Sequence, residues 1–560
     1  MMDRMPAACA SAAGDDLSAA FFWRVGIPLL AGVGLLLARA DHDAFTWPAI
    51  DNLPGLMHAM DPGFPQGDFF GSASAADPGG RSPFLLLLRL LSRGEDPYTG
   101  LYLAKTLTCA AIFPAAAAWV RTLAGQVCGS GPLVSLLALL APVLAWAGCA
   151  SLFTWAWWKP LWTEATPHAA AMAVGMFAVC LPTVGRAGWL RSLLLGSSIL
   201  LHPVIGAAHA GIALGLPLVR LGWRQGWHHL VRAAWSWCTL LALAAGMGYH
   251  RLLGGSLPGE RILEIYVLQF HPGHYRPWSW TAGTLGPWWA HALFSLGMAG
   301  CAAMGTPRSS RAWTLAGCSA LVVAAASAGQ WLANATHIGA LLLLGPSRLV
   351  VLLYWLIAAQ FAAAAQGALG RMRWVGNLGG FLHHLAPPRS WSFAIFTCLL
   401  AAILLHGTRP DDYRGRIRAA DPAFWEFVQS TDPEAVFCVH QSPLRARIPI
   451  IARRAVVAGS GFPFALRHWE AASRRGLVIG LDPRCEVRDP YLRTVIGYDR
   501  LPPRHFIQAG QEVRIDYVLR SWDAPADDWK RMVPAFSSAV SRVHVYRLAD
   551  LESASTDQDP

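Results

Sequence analysis

The chain has 560 residues, of which 54% are hydrophobic and only 14% charged, with a formal net charge of +11. That balance excludes an ordinary soluble globular protein. It does not mark a nucleic-acid surface either, because the arginines fall in short loops between apolar runs rather than on one soluble face.

Met1–Ala20 has neither a basic run nor a cleavage site of small residues. Residues 1–20 therefore read as a cytoplasmic segment, and Phe21–Ala38 as a retained first membrane span. The next loop, residues 39–100, gathers Asp41, Asp43, Asp51, Asp61, Asp68, Asp77, Glu95 and Asp96. Between Leu17 and Pro410 the other carboxylates are Glu164, Glu260 and Glu264. Within the loop, Ile50–Met60 has a helical pattern. Ser82–Leu91 is apolar but too short to cross, so it is expected along the interface.

Further spans are expected at Leu101–Val120, Pro132–Ala150 and Ala165–Leu181, each near the length that crosses a hydrocarbon core of roughly 30 Å. Trp155–Trp162 sits between two of them as an interfacial aromatic segment. The run Leu190–Val219 is too long for one upright span. It is broken at His202-Pro203, where proline removes a backbone donor. Two short helices should meet near His202, placed on the inner half as a satisfied core histidine. Ala233–Leu253, an aromatic segment Glu260–Trp280, then Gly286–Met304, Trp313–Leu332, Ser347–Ala365 and Trp391–Leu405 complete the membrane domain, residues 21–407.

Arginine in short loops orients the spans. With the N-terminus inside, the inner loops hold Arg121; Arg186 and Arg191; Arg220, Arg224 and Arg232; Arg308 and Arg311; Arg371, Arg373 and Arg389. The acidic loop and everything after His406 then lie outside. The fold class is a polytopic α-helical membrane protein of about nine to eleven spans with a C-terminal extracytoplasmic α/β domain, residues 408–551. In that domain Ala435–Val439, Arg454–Ala458, Ile515–Leu519 and Val543–Arg547 read as strands, and Phe464–Arg475 and Asp489–Ile496 as helices. Residues 552–560 read as a disordered tail. Most cysteines lie in apolar runs and no CxxC occurs; Cys438 and Cys485 are the pair that could form a disulfide.

The candidate chemistry lies on the outer face. Asp43 and Asp41 directly follow the first span, where a carboxylate can act as general base towards a hydroxyl. Either could instead hold a divalent cation such as Mg or Mn against a phosphate, or simply end the span. Asp68 is a second catalytic candidate or an anchor capping backbone donors, and Asp51 could face the same cleft. Lys159, His168, His271, His274, Arg276, His337 and Arg348 lie near outer span ends, at the depth of a lipid phosphate. Glu164 and His168 share a helix face. Arg348, in Gly345-Pro346-Ser347-Arg348, opposes the positive-inside tendency and so wants a phosphate or a loop carboxylate.

This order of span, acidic outer loop with interfacial helix, many spans and a soluble outer domain resembles the GT-C superfamily of integral-membrane glycosyltransferases. Asp61-Pro62, Gly67–Phe70 and His202-Pro203 also resemble motifs of bacterial membrane proteins of uncharacterised function. The first resemblance implies catalysis by Asp43 or Asp41 and a polyprenyl-phosphate-linked sugar donor contacted by Arg348 and Arg276. Where some GT-C members carry a clean Asp-x-Asp or Glu-x-Asp pair, this chain has Asp41-His42-Asp43. The partners implied are the lipid bilayer and the lipid-phosphate-linked sugar, in a bacterial inner membrane. Two other classes fit the composition: a transporter or flippase of a lipid-linked or polar solute, and a non-catalytic scaffold.

Overall fold

The computed structural model describes residues 53–61, 63–65, 67–68, 82–92, 97–129, 131–146, 161, 165–182, 185–253, 259–263, 267, 288–304, 309–370, 372–384, 413–439, 442–458, 468–480, 498–523, 527–529 and 531–556. The expected first and last spans, Phe21–Ala38 and Trp391–Leu405, lie outside these residues, as does Asp489–Ile496.

Two short helices come first, α1 (Leu53–Met60) and α2 (Ser82–Leu91), the latter with the bounds expected of the interfacial helix. The membrane region follows as α3 (Pro97–Cys128), α4 (Pro132–Trp146), α5 (Pro167–Cys180), α6 (Gly185–Leu201), α7 (Pro203–Leu221), α8 (Trp223–Arg232), α9 (Ala234–Leu253), α10 (Trp288–Met304), α11 (Ser309–Thr336), α12 (Gly339–Leu344), a 3-10 turn Pro346–Leu352, α13 (Leu353–Leu369) and α14 (Arg373–His384). Three stretches are long and apolar enough to cross a bilayer: Pro97–Cys128, Arg311–Thr336 and Gly339–Leu369. They make this an integral membrane protein.

Helices α3, α4, α5, α6, α7, α10, α11 and α13 share one apolar core that contains Phe113, Trp119, Met172, Ile205 and Trp355. Helix α3 is longer than the expected Leu101–Val120. Its first turns are buried by protein rather than lipid: Tyr98, Leu101 and Tyr102 lie in a cluster with α1, α2 and the C-terminal domain.

The break at His202-Pro203 makes a hairpin. Arg191 of α6 donates to the Ala213 carbonyl of α7 at 3.2 Å, and Gly206 lies against the backbone of Ser198 and Ile199. The two helices therefore run antiparallel with His202 at the apex. Both halves are near a full crossing: the 19 residues of α7 rise about 28 Å. His202, at the apex, is buried and its ring accepts from the Ile205 amide, as expected of a satisfied core histidine. Arg191, expected in an inner loop, is instead buried within α6. It bonds the Leu181 and Ala213 carbonyls and stacks 4.8 Å over Trp235.

The C-terminal region contains α15 (Tyr413–Ala420), α16 (Pro422–Ser430), β1 (Val436–Val439), α17 (Ser442–Arg447), β2 (Ala455–Val456), α18 (Trp469–Val478), α19 (Pro503–Glu512), β3 (Tyr517–Ser521), β4 (Phe536–Ser538), β5 (Val543–Arg547) and α20 (Leu548–Thr556). The strand order is β2-β1-β3-β5-β4, with β1 parallel to β2 and β3, and β5 antiparallel to β3 and β4. Alternation along the strands sends Phe437, Val439, Tyr517 and Leu519 to one core and Val436, Cys438 and Val518 to another. With both faces covered, β1 reads as a continuous apolar run, Val-Phe-Cys-Val. Cys438 is a free thiol inside the second core, which corrects the disulfide expectation. The short β4 and the helices α15, α16, α17, α19 and α20 were not foreseen; α20 runs to Thr556, into the stretch 552–560 expected to be disordered, because Leu548 and Leu551 anchor it in the second core.

Candidate functional site

Two helices start at the same end of the bundle with the same local device. Thr166 caps α5, its hydroxyl accepting from the Ala169 amide at 3.2 Å, and Pro167 opens the helix. His202 caps α7, its Nδ1 accepting from the Ile205 amide at 3.4 Å, and Pro203 opens that helix. Proline fits the first helical position because its missing N–H would have no helical partner there. The consequence is that His168, just inside α5, meets His202 with ring centroids 4.2 Å apart and planes at 39°.

The third member comes from the 3-10 turn. Gly345 adopts the left-handed conformation (φ 58), which ends α12 and starts the turn. Gln330 of α11 pins the turn by accepting from the Ser347 amide at 3.3 Å, and its own amide donates to Asn334 at 3.1 Å. Arg348 is thereby held with Nη1 3.4 Å from Nε2 of His202. Two imidazoles and a guanidinium thus converge from three separate elements, beside the N-termini of α5 and α7. Helix N-termini carry partial positive charge, so the whole arrangement favours an anion.

The same end of the bundle carries the acidic loop and the C-terminal domain. Leu201, Ala165 and Ala170 pack in the cluster that also holds Leu56, Phe84, Phe424 and Ile451. Asp68 is buried, and its carboxylate accepts from the Val456 amide of β2 at 3.3 Å. Asp61 bonds the Gly63 amide at 2.9 Å and pairs with Arg453 at 3.1 Å. Burial lowers the pKa of Arg475, and the Asp68 carboxylate acts in the opposite direction. The geometry at Asp68 is that of an anchor between loop and domain.

Of the residues singled out in the sequence, His168 and Arg348 come together. His337 lies in the α11–α12 turn with φ 54; its carbonyl abuts Gly259, and it is not joined to the cluster by a contact among the described residues. Asp41, Asp43, Asp51, Lys159, Glu164, His271, His274 and Arg276 lie outside the described residues. His202 is the buried, hydrogen-bonded histidine the sequence suggested; its meeting with His168 and Arg348 was not foreseen, although its His-Pro break was the signal that it sits at a helix start. Among the described residues no three His, Cys, Asp or Glu side chains gather to hold a metal ion.

No family model and no curated protein matches this sequence. Two similar solved structures are the Archaeoglobus fulgidus oligosaccharyltransferase in the apo form (TM-score 0.41) and archaeal oligosaccharyltransferase AglB from Archaeoglobus fulgidus in complex with an inhibitory peptide and a dolichol-phosphate (TM-score 0.35). Each is 11% identical, over 90% of this chain and 70% of that chain. Likenesses at these TM-scores decide neither fold nor chemistry.

Proposed function

We propose that this protein is a GT-C-like membrane glycosyltransferase. It moves a sugar from a polyprenyl-phosphate-linked donor to an acceptor on the outer side of a bacterial cytoplasmic membrane. The observation that carries the reading is the convergence of His168, His202 and Arg348 at one end of the helix bundle. Arg348 and the imidazoles take the donor phosphate at interface depth, where a guanidinium matches phosphate oxygens.

Asp43, or Asp41, removes the proton from the acceptor hydroxyl. The acceptor oxygen then bonds to the anomeric carbon as the bond from that carbon to the phosphate oxygen breaks. The electron pair of the broken bond stays on the departing phosphate, whose charge Arg348 offsets. The configuration at the sugar inverts. Asp68 and Asp61 tie the acidic loop to the C-terminal domain. A Mg or Mn ion held by the Asp41–Asp43 pair would supply further charge to the leaving phosphate.

The positive-inside tendency puts the Arg348 end outside. Arg311 bonds Gln126 at the far end of α3, and Arg220, Arg224 and Arg232 lie at the far end of α7.

The test is sugar transfer from a polyprenyl-phosphate-linked donor in membranes carrying wild-type or altered protein. Arg348→Ala should reduce transfer by at least tenfold and weaken donor binding, while Asp43→Asn should abolish transfer and leave donor binding. Transfer at the wild-type rate by Arg348→Ala sinks the phosphate assignment, and by Asp43→Asn together with Asp41→Asn sinks the base.

A further inference from the structure

The end of the α6–α7 hairpin opposite His202 carries α8, which meets α9 at a bend of 77°. At about 100° per residue most of its side chains fall into three arcs, with Gln225 and His229 between the last and the first. Gly226 and Leu230 face the protein and are buried. A Cβ on Gly226 would stand 2.7 Å from the Leu218 Cα and the Pro217 carbonyl of α7, so the close seat of α8 needs glycine there. Trp223, Trp227 and Val231 fill the second arc, with exposures of 71%, 53% and 45%. The two indoles stack at 6.2 Å. Arg224, His228 and Arg232 fill the third arc and are exposed.

An exposed apolar strip beside a basic strip is the pattern of a helix lying in the plane of a bilayer surface. Its surroundings agree. Trp189 and Trp237 are exposed near the same end, as in an interfacial aromatic belt. Arg220 is exposed one turn before α8. No Asp or Glu occurs between Glu164 and Glu260, so the patch has one sign. The rise of α7 puts α8 about 28 Å from His202, which is one hydrocarbon thickness.

We propose that α8 is an in-plane anchor that binds the headgroups of anionic phospholipids in the leaflet opposite the Arg348 site. The indoles and Val231 enter the acyl boundary, and Arg220, Arg224 and Arg232 reach the phosphates. The charge of the patch and the membrane helices on either side of α8 select a lipid surface over a protein partner. The proposal goes beyond sugar transfer and is independent of it.

The test reconstitutes the full chain in phosphatidylcholine vesicles with trace spin-labelled phosphatidylglycerol or phosphatidylcholine, and compares their retention at the protein. Wild type should retain phosphatidylglycerol several-fold better at low salt, with the preference falling in about 0.5 M NaCl. Arg220→Gln with Arg224→Gln and Arg232→Gln should reduce it by up to about fivefold per arginine. Lysine at the same three positions keeps the charge and should keep the preference. Arg504→Gln with Arg531→Gln, in the C-terminal domain, should leave it unchanged. Equal retention of both lipids by wild type overturns the proposal, as does an undiminished preference in the triple Gln variant.

Discussion

Arg348 Nη1 lies 3.4 Å from Nε2 of His202, across 146 residues of chain. The other ring nitrogen, Nδ1, faces the Ile205 amide at the same distance. Both neighbours are donors, and a neutral imidazole can accept at only one nitrogen. The helix cap and the arginine therefore compete for the ring. If the cap keeps Nδ1, then Nε2 carries the proton and faces Arg348 donor to donor.

His202→Asn should separate these two roles. Asparagine is a good N-cap, so α7 keeps its start, but the shorter side chain cannot meet Arg348. The thermal midpoint in detergent should stay close to wild type while binding of a short-chain polyprenyl phosphate weakens about tenfold, or ~1.4 kcal/mol. His202→Ala should lose stability as well, by about 1 kcal/mol for the missing cap.

Gly206→Ala tests the hairpin. A methyl group there would run into the backbone of Ser198 and Ile199, which cannot retreat as a flexible side chain would. The expected loss is about 1–3 kcal/mol, read as a lowered thermal midpoint. Parting α6 from α7 also moves His202 from Arg348, so phosphate binding should fall with it.

The loop–domain seam should be unevenly sensitive. Asp68→Ala leaves the buried Val456 amide without its carboxylate, at about 1–3 kcal/mol. Asp61→Asn should cost less than about 1 kcal/mol, because its partner Arg453 is half-exposed. Arg453→Gly removes the same pair but also relieves a left-handed backbone (φ 54), so its effect should be nearly neutral. Hydrogen exchange of peptides covering residues 53–68 and 453–458 reports which change loosens the seam.

Acid should weaken the C-terminal domain through Asp421. Burial raises the pKa of this carboxyl, but donors from Ser538, Ser541 and the Phe424 and Ser541 amides outweigh it and hold the value below the usual 3.8. A depressed carboxyl stabilises the fold above its unfolded value, and that stability is lost as pH falls through the folded value. Protection of residues 421–430 in hydrogen exchange, corrected for intrinsic rate, should therefore decline only below about pH 4. Ser538→Ala with Ser541→Ala removes donors that hold the value down, so the acid-dependent part of the decline should shrink.

Cys438 should resist thiol reagents until the domain unfolds. It is fully buried in the sheet, and burial pushes its thiol up to about 12. A maleimide at pH 8 should label it only in denaturant; rapid labelling of the native protein would contradict the packing of β1.

The helices between Leu101 and Ala365 were legible because each is an apolar run, three of them long enough to cross a bilayer, and the β-branched runs of β1, β3 and β5 were legible for a similar reason. Helix α2 declared itself by being apolar but short. Helix α8 did not, since its two tryptophans interrupt a basic segment that reads as a loop until Gly226 and Leu230 are seen packed. The three-residue β4 carries no pattern of its own and exists by pairing with β5. The site was half visible: Arg348 drew attention as an arginine on the wrong side, and His168 by its place at a span end.

What the sequence by itself determined is the local code: apolar runs that prefer lipid, prolines that open helices, caps at Thr166 and His202, and a hairpin break between Leu201 and Pro203. These depend on neighbours within a turn or two. Only the tertiary structure decided that His168, His202 and Arg348 meet, that Asp68 anchors β2, and that the acidic loop and C-terminal domain share a core. Those contacts join positions far apart in the chain, and which side chains meet is set by how α3, α5, α7 and α11 pack, a property no single stretch of sequence contains.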